Sequence, residues 1–492
     1  MNNFCKSFHS CLTKSNNILC IFAKCIKIFS FLFLISQCAE AQEKIELKNA
    51  DQLSGKVIDG QNVREATGNV EFVQGNVKVF CNSATQFIEA NRVELRGNVR
   101  IYQDTLSLLT PKATYFGDDK RAVCESGVTL KDPNATLRAD NGVYFFNEAK
   151  AIFKGDVIIV NPQYRITSNE ITYFRNNEDS FARGNVIVTT DSATIKADNI
   201  DFFKRQGKTY ALGNVRIESD STVITSDTAT NFSSEKKSLA NGNVRIVSLN
   251  NNTVISGRVL ENYEKENYTI IKDNAKLVQA EDGKDSLYIF CDTMQAFRVK
   301  PEYYTASGNV EIIRDNFLSK CGLGVYYKNR ETVSLSLNPV VWQDRLQVTG
   351  DSIYAELPGN KLQTIFVKKL LTVPNSKTSF VISSNEDEYF KDRFDQISGK
   401  DITLNLVNDK INLINVEGGS NSIYFVYEED EANGLNNIEG EELQIFFDGD
   451  EKVSRIKVTT DPKGEYVPEA LLNTVNLILP GFGLREDKPL KR

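Results

Sequence analysis

Residues 182–217 read Ala182-Arg183-Gly184-Asn185-Val186-Ile187-Val188, a polar turn, Ile195-Lys196-Ala197-Asp198-Asn199-Ile200-Asp201-Phe202-Phe203, a second polar turn, and then Ala211-Leu212-Gly213-Asn214-Val215-Arg216-Ile217. The opening phrase returns after 29 residues. Gly155, Gly184, Gly213 and Gly242 keep that step without a slip, with Asp156 standing for Asn in the first of them. Gly68, Gly97 and Gly308 open further copies. The second phrase keeps the same period from Val79, Leu108, Leu137, Ile166, Ile195 and Ile224. A fixed period over this many copies is the mark of a repeat architecture, in which each unit buries its face only against its neighbours.

Both phrases alternate apolar and polar residues, so each is a strand with one buried face. The inward stripe of the first phrase runs Val70 and Phe72, Val99 and Ile101, Val157 and Ile159, Val186 and Val188, Val215 and Ile217, Val244 and Ile246, then Val310 and Ile312. The second phrase changes parity midway: Ile195 and Ala197 share one phase, Ile200 and Phe202 the other. A parity switch inside a strand means a bulge or sharp bend. A strand that bends in every repeat can serve two facing sheets, and the repeated Gly suits the bend. The expected fold is all-β: a repeat-built open jelly roll, a V-shaped stack of bent antiparallel strands. Roughly 15 repeats of two strands, at about 4.8 Å per strand, would extend on the order of 140 Å at most.

The expected organisation has four parts. Residues 1–41 form a secretory leader: Lys6, Lys14, Lys24 and Lys27, an apolar run from Ile28 to Ile35, and a small-x-small site at Ala39-Glu40-Ala41. Cys38 is a minor candidate for lipidation. Residues 42–343 are the repeat domain, with Leu47, Leu53 and Val57 in a starting strand or cap. Residues 344–480 are a second, related β module, whose units open at Gly350-Asp351, Gly399-Lys400 and Gly440-Glu441. Asn338-Pro339-Val340-Val341-Trp342 looks like a last, altered copy of the first phrase. Ser384 to Gln396 is an expected exposed loop, Pro468 to Leu479 the one hint of helix, and 481–492 a loose tail.

Composition excludes whole classes of function. The chain has 492 residues, a net charge of −7 and one histidine, His9, which lies in the leader. Without the leader the charge falls to about −10, against the Lys- and Arg-rich balance that nucleic acid binding draws on. The remaining chain has no histidine, so Ser-His-Asp triads and His-ligated metals are ruled out. No phosphate-binding Gly-x-x-x-x-Gly-Lys-Ser/Thr loop occurs. Asp140, Asp198 and Asp227 recur in phase, but the Gly-rich nonapeptide of calcium-binding β-rolls is missing, so they are read as turn or capping residues. Glu428-Glu429-Asp430-Glu431 is an acidic run of the solvated kind rather than a catalytic pair. No enzyme activity, metal or cofactor is expected. Of the four cysteines after the leader, Cys81, Cys291 and Cys321 fall at the third place of the second phrase. Such places in adjacent repeats lie roughly 10 Å apart, beyond the reach of a disulfide, so small buried thiols are expected.

The phrase Ala-x-Gly-Asn-Val-x-Ile, repeated with Ile-x-Ala-Asp-x-x-x-Tyr between copies, resembles the OstA-like (organic solvent tolerance) domains of the lipopolysaccharide transport system. Residues 182–188 and 211–217 carry the likeness almost unaltered; it covers about 66–340 well and 345–479 loosely. The resemblance implies a periplasmic bridge whose apolar groove holds the acyl chains of lipopolysaccharide with the sugars outside. It implies partners in an outer-membrane β-barrel assembly and an inner-membrane export complex, and end-to-end self-association. Under it, the fourteen inward residues from Val70 to Ile312 become candidates for the groove lining. A chain of this length without a barrel-like C-terminal half looks like an extended bridge in the periplasm, with association to the outer membrane as a further expectation. The competing expectation is an exported structural or adhesive β-solenoid with a dry core. A β-helix polysaccharide enzyme would need a carboxylate cluster that the sequence does not show.

Overall fold

The computed structural model describes residues 43–490, except 59, 251, 282–283, 315–316, 371–376, 386, 409, 429–430 and 450–451. The leader with Cys38 and His9, the end of the tail, and Glu429 and Asp430 of the acidic run lie outside the described residues. Those described form 34 strands and three short 3₁₀ turns. They fall into two compact units: one up to Ser126 together with Phe145–Asn147, the other Gly127–Tyr144 and everything from Glu148 on.

From Tyr164–Phe174 to Phe317–Tyr327 each strand pairs antiparallel with the one before it and the one after it, as a meander; elsewhere some strands break at the corner into two arms that pair separately. From Asp179–Thr190 the order runs through Thr194–Phe203, Lys208–Glu218, Thr222–Phe232, Lys237–Ser248 and Thr253–Tyr263. Every one of these pairings slips at its centre. Arg183 faces Asn199 and Val186 faces Ala197, so Gly184 and Asn185 together oppose Asp198 alone. Gly213-Asn214 and Gly242-Asn243 repeat the arrangement against Asp227 and Arg258. Two residues against one is a β-bulge, and a bulge bends the strand that carries it.

The Gly-Asn phrase is therefore the corner of the fold. Gly213 has φ +78° and Asn214 +48°; Gly242 and Asn243 have +74° and +45°. Two consecutive left-handed residues suit Gly, which pays no Cβ penalty, and Asn, which tolerates the region best among the rest. Asp198 lies flat over the bend: a Cβ on Gly213 would come 2.2 Å from its Oδ2. Asn214 Nδ2 donates to that same oxygen at 3.0 Å, and Asn243 donates to Asp227 at 3.0 Å. The recurring aspartates are corner acceptors.

The corner survives in altered form toward the C-terminus. Gly322 N donates to Leu337 O, and Leu337 and Asn338, both left-handed, stand in the Gly-Asn places ahead of the strand Val340–Gln343. At Gly350, Gly399 and Gly440 the glycine sits one residue earlier, where a Cβ would meet a valine methyl at 2.3–2.7 Å. The next residues, Asp351, Lys400 and Glu441, close the corner by donating to Lys368, Glu417 and Thr460 carbonyls. The units that the sequence marks by Gly350, Gly399 and Gly440 are thus built on the same bend. The expected loop after Ser384 is a hairpin connection with a 3₁₀ turn at Glu388–Phe390. The hint of helix at Pro468 shortens to a 3₁₀ turn, Glu469–Thr474. The segment past Pro480 contacts the body: Gln347 and Arg485 exchange two side-chain-to-backbone hydrogen bonds, and Phe482 packs on Phe394.

In the first unit the strands Glu46–Asn49 and Gln52–Ile58 are the two arms of the first bent strand, both paired with Gln61–Gln74, with Asp51 over Gly68. Leu53 and Val57 on its outer strand are exposed. All four described cysteines are buried and free. Burial holds their thiols well above the ordinary value, Cys81 and Cys291 at about 11, Cys124 and Cys321 at about 12.

Candidate binding trough

The corner splits each strand into two arms, and the inward residues of both arms face each other. Three inward rows run across the second unit at right angles to the strands. The corner row holds Val186, Ala197, Val215, Ser226 and Val244, all buried. On the arm that follows the Gly-Asn phrase, cross-strand pairing aligns Ile195, Ile217, Ile224, Ile246, Ile255, Leu277, Ile289 and Ile312. On the opposite arm it aligns Ile200, Ala211, Ala229, Ala240, Leu260, Ile271, Met294 and Ala306.

The sequence expectation treats the Val and Ile of each phrase alike; the structure separates them. Val70, Val99, Val157, Val186, Val215, Val244 and Val310 are all buried at the corner. Their partners divide by position along the chain. Phe72, Ile101 and Ile159 are buried, whereas Val188, Ile217, Ile246 and Ile312 are only half-buried. The cause is a fourth inward row, one step nearer the mouth.

In the first unit that row carries Tyr115. Its hydroxyl donates to Gln74 Oε1 on the other arm at 2.7 Å, and Gln74 Nε2 donates to Gly117 O at 2.8 Å. Burial raises the Tyr115 pKa, and Glu43 adds to the effect. The segment around Ile45 lies across the mouth: Ile45 N donates to Asn91 Oδ1 at 3.1 Å and Gln86 Nε2 donates to Ile45 O at 2.9 Å. In the second unit the row holds the fully buried Tyr144 and then Tyr173, whose hydroxyl donates to Asp132 Oδ2 across the mouth at 3.1 Å. Burial raises its pKa, reinforced by the Asp132 charge. Phe202 follows and meets Tyr164 of the other arm edge to face, centroids 6.2 Å apart. These residues fill the V.

Past Phe202 the same row changes chemistry. It reads Thr209, Asn231, Ser238, Asn262, Thr269 and Ala296, until Tyr304, stacked on Tyr326, restores an aromatic at the far end. Short side chains, mostly polar, leave the isoleucine row opposite uncovered. The open stretch runs from the strand Lys208–Glu218 to Tyr303–Arg314, seven strands or roughly 30 Å at strand spacing. Its other rim is also polar, with Ser219, Thr222, Ser248, Thr253 and Gln279. Beyond it the interior closes again: Ser319, Val341, Val348 and Val381 continue the isoleucine row and are buried. Phe317 and Leu346 pack there into one apolar cluster with Ile365, Val367, Ile402 and Leu404.

The residue after the inward one at this place, an outward aromatic, has a cation from a neighbouring strand beside it in several repeats. Arg92 lies over Phe87 at 4.0 Å, Arg121 over Phe116 at 4.5 Å, and Lys237 over Tyr263 at 5.0 Å. Lys208 sits between Phe203 and Phe232. Each such contact stabilises by about 0.5–1 kcal/mol at an exposed site. The signal for this ladder in the sequence is a Lys or Arg opening a strand, as at Arg92, Arg121, Lys150, Lys208 and Lys237. Among the described residues no group of His, Cys, Asp or Glu is placed to hold a metal, and no helix is long and apolar enough to cross a membrane.

A bent-strand trough with apolar walls and polar rims is complementary in shape and polarity to an amphiphile. Residues 42–198 match the family described as OstA-like protein, and residues 165–358 match the family described as LptA/(LptD N-terminal domain) LPS transport protein. The repeat region is OstA-like, the two matches together spanning residues 42–358. Among solved structures it is similar to LptH of Pseudomonas aeruginosa, the LptA homologous periplasmic component of the lipopolysaccharide transport device. That likeness has 14% identity and a TM-score of 0.21, covering 22% of this chain and 82% of LptH. No curated protein matches the chain.

Proposed function

We propose that this protein is a periplasmic, non-catalytic bridge that carries lipopolysaccharide toward the outer membrane, with the acyl chains held in the open stretch of the trough. The observation that carries the reading is the half-buried row Ile217, Ile224, Ile246, Ile255, Leu277, Ile289 and Ile312, apolar and facing inward between two polar rims. A soluble protein seldom leaves a continuous apolar strip uncovered unless something binds there. The stretch of roughly 30 Å matches the hydrocarbon core of a bilayer, which is two acyl chains deep. Inner-membrane export components would load the trough and an outer-membrane β-barrel assembly would unload it, with end-to-end self-association as a means of lengthening the path. The aromatic-filled N-terminal part and the closed C-terminal part then serve as structural flanks, so of the candidate lining residues Ile217, Ile246 and Ile312 touch lipid.

In-cell photo-crosslinking tests this. A photoreactive residue at Ile217 or Ile246 should give adducts with lipopolysaccharide; one at the outward Arg216 or the buried Ile101 should give none. Silence at both inward positions in a folded, exported protein would favour the dry structural solenoid.

A further inference from the structure

The rims of the open stretch differ in charge. By sequence, the turns that end the isoleucine-bearing arm carry Asp191, Asp220, Glu281, Asp282 and Asp315 against the two cations Lys284 and Arg314. The turns that end the opposite arm carry Lys204-Arg205, Lys236, Lys265, Arg298, Lys300, Lys328 and Arg330, among fewer carboxylates. One of these cations reaches into the trough. Arg298 follows Phe297, which points outward, so Arg298 points inward. Its Nη1 donates to Thr269 Oγ1 at 2.6 Å and its Nη2 to Asn262 Oδ1 at 3.1 Å. Thr269 in turn donates to Asn262 Oδ1 at 2.7 Å. The guanidinium is thus anchored on the polar inward row by two neutral acceptors. No carboxylate pairs with it among the described residues, and the residue remains exposed.

We infer that Arg298, held by Thr269 and Asn262, is an anion site at the rim of the trough that takes a phosphate of an amphiphile whose hydrocarbon lies along the isoleucine row. This rests on the carrier reading above and adds to it an orientation. A guanidinium offers five donors in a planar fork, two of which are used here, leaving the rest for a phosphate in bidentate geometry. An acidic rim across the mouth repels the same group, so the headgroup is held to one side. The polar row from Thr209 to Thr269 then lies under the hydroxyl-bearing part of the headgroup, and the apolar rows lie under the chains. The neutral acceptors orient the guanidinium without cancelling its charge, as a carboxylate would.

The test compares two probes on the full chain lacking its leader: bis-phosphorylated lipid A and the same lipid with its phosphates removed. The wild type should bind the phosphorylated form at least tenfold more tightly, the range of a charge-assisted hydrogen bond. Arg298→Gln should abolish that preference while leaving binding of the dephosphorylated lipid unchanged. Asp220→Asn, on the opposite rim, should not weaken either. Thr269→Val, which keeps the charge but removes an anchor, should give an intermediate preference, and a thermal melt confirms that each variant is folded. Equal wild-type affinity for the two lipids overturns the anion site and leaves the trough reading intact. Binding of neither lipid sinks the carrier reading and the anion site together. An equal loss for both lipids in Arg298→Gln means that the residue acts only on the fold.

Discussion

Replacing Gly213 by Ala should unfasten one corner and leave its neighbours bent. Two costs arise. Gly213 holds φ +78°, where an L-residue is disfavoured by about 1–2 kcal/mol. The new methyl would also lie 2.2 Å from Asp198 Oδ2 and 2.9 Å from its Cγ, so the carboxylate must swing away. That breaks its hydrogen bond from Asn214, made at 3.0 Å, for a further net loss of about 0.5–1.5 kcal/mol. The sum is roughly 2–3 kcal/mol, a thirtyfold or greater change in a local opening equilibrium. A long repeat array does not unfold in one step, so hydrogen exchange is the appropriate assay. Amides of Thr194–Phe203, Lys208–Glu218 and Thr222–Phe232 should lose protection, while those of Lys150–Val160 should not. Asp198→Ala alone should cost about 1 kcal/mol, the hydrogen bond only. The double variant should be milder than the two single costs added, because the clash disappears with the carboxylate. A Gly213→Ala effect below about 0.5 kcal/mol, or strict additivity, would refute the corner argument.

Three further outcomes follow from named contacts. Phe202→Ala removes the ring that Tyr164 meets across the mouth, so the trough should lengthen toward the N-terminus; a photoreactive residue at Val188, which pairs with Ile195, should then crosslink to lipid, and continued silence there would mean other side chains close the gap. Asp395 accepts from Phe425 N at 2.9 Å and burial pushes its pKa up to about 6, with Arg345 opposing. A raised carboxyl pKa destabilises the fold above that pH and the penalty fades as pH falls through 6 toward 4. Asp395→Asn should therefore stabilise at pH 8, by an amount of order 1–3 kcal/mol, and change little at pH 4; destabilisation at pH 8 would contradict this. Finally, the buried thiols Cys81, Cys124, Cys291 and Cys321 should resist alkylation at pH 8 in the native protein and react on denaturation, measured by mass spectrometry. Rapid native labelling of any of them would place that site outside the core.

The bend was legible because its chemistry is local. Gly-Asn needs two left-handed residues and the facing phrase needs a parity switch, and both are written within nine residues of chain. The buried row of the corner was legible for the same reason. The division into filled and open stretches was harder to see, because it depends on which side chains meet across the mouth. Tyr164 and Phe202 are 38 positions apart, and Tyr173 and Asp132 are 41 apart. Yet a signal existed at one fixed place of the repeat. The aromatic pair runs Tyr115-Phe116, Tyr144-Phe145, Tyr173-Phe174, Phe202-Phe203, and then Asn231-Phe232 and Asn262-Tyr263. The second aromatic, which faces outward onto the cation ladder, persists; the first, which faces inward, is lost. Treating the pair as one feature hid the change. The anion site was illegible for a related reason: Arg298 gains its meaning only from pairing with Asn262, 36 positions away.

A single register place therefore decides whether one backbone makes a dry core or a trough. Where it holds Tyr115 or Tyr173, a phenol spans the V, and its hydroxyl is satisfied by Gln74 or Asp132, so the aromatic can be buried at little polar cost. Where it holds Asn231, Ser238 or Asn262, nothing reaches the far arm and the isoleucines stay half-covered. Full burial of an Ile is worth about 1.5–3 kcal/mol, so each half-covered one forgoes roughly 1 kcal/mol, and the seven from Ile217 to Ile312 forgo several between them. An acyl chain that enters recovers this surface and loses its own contact with water, at about 0.8 kcal/mol per methylene. The gain is spread evenly along identical rungs rather than concentrated in one pocket. A chain displaced by one strand spacing, about 4.8 Å, meets the same row again. That arrangement holds an amphiphile firmly across the trough and weakly along it, which is the property a carrier needs and a deep binding site lacks.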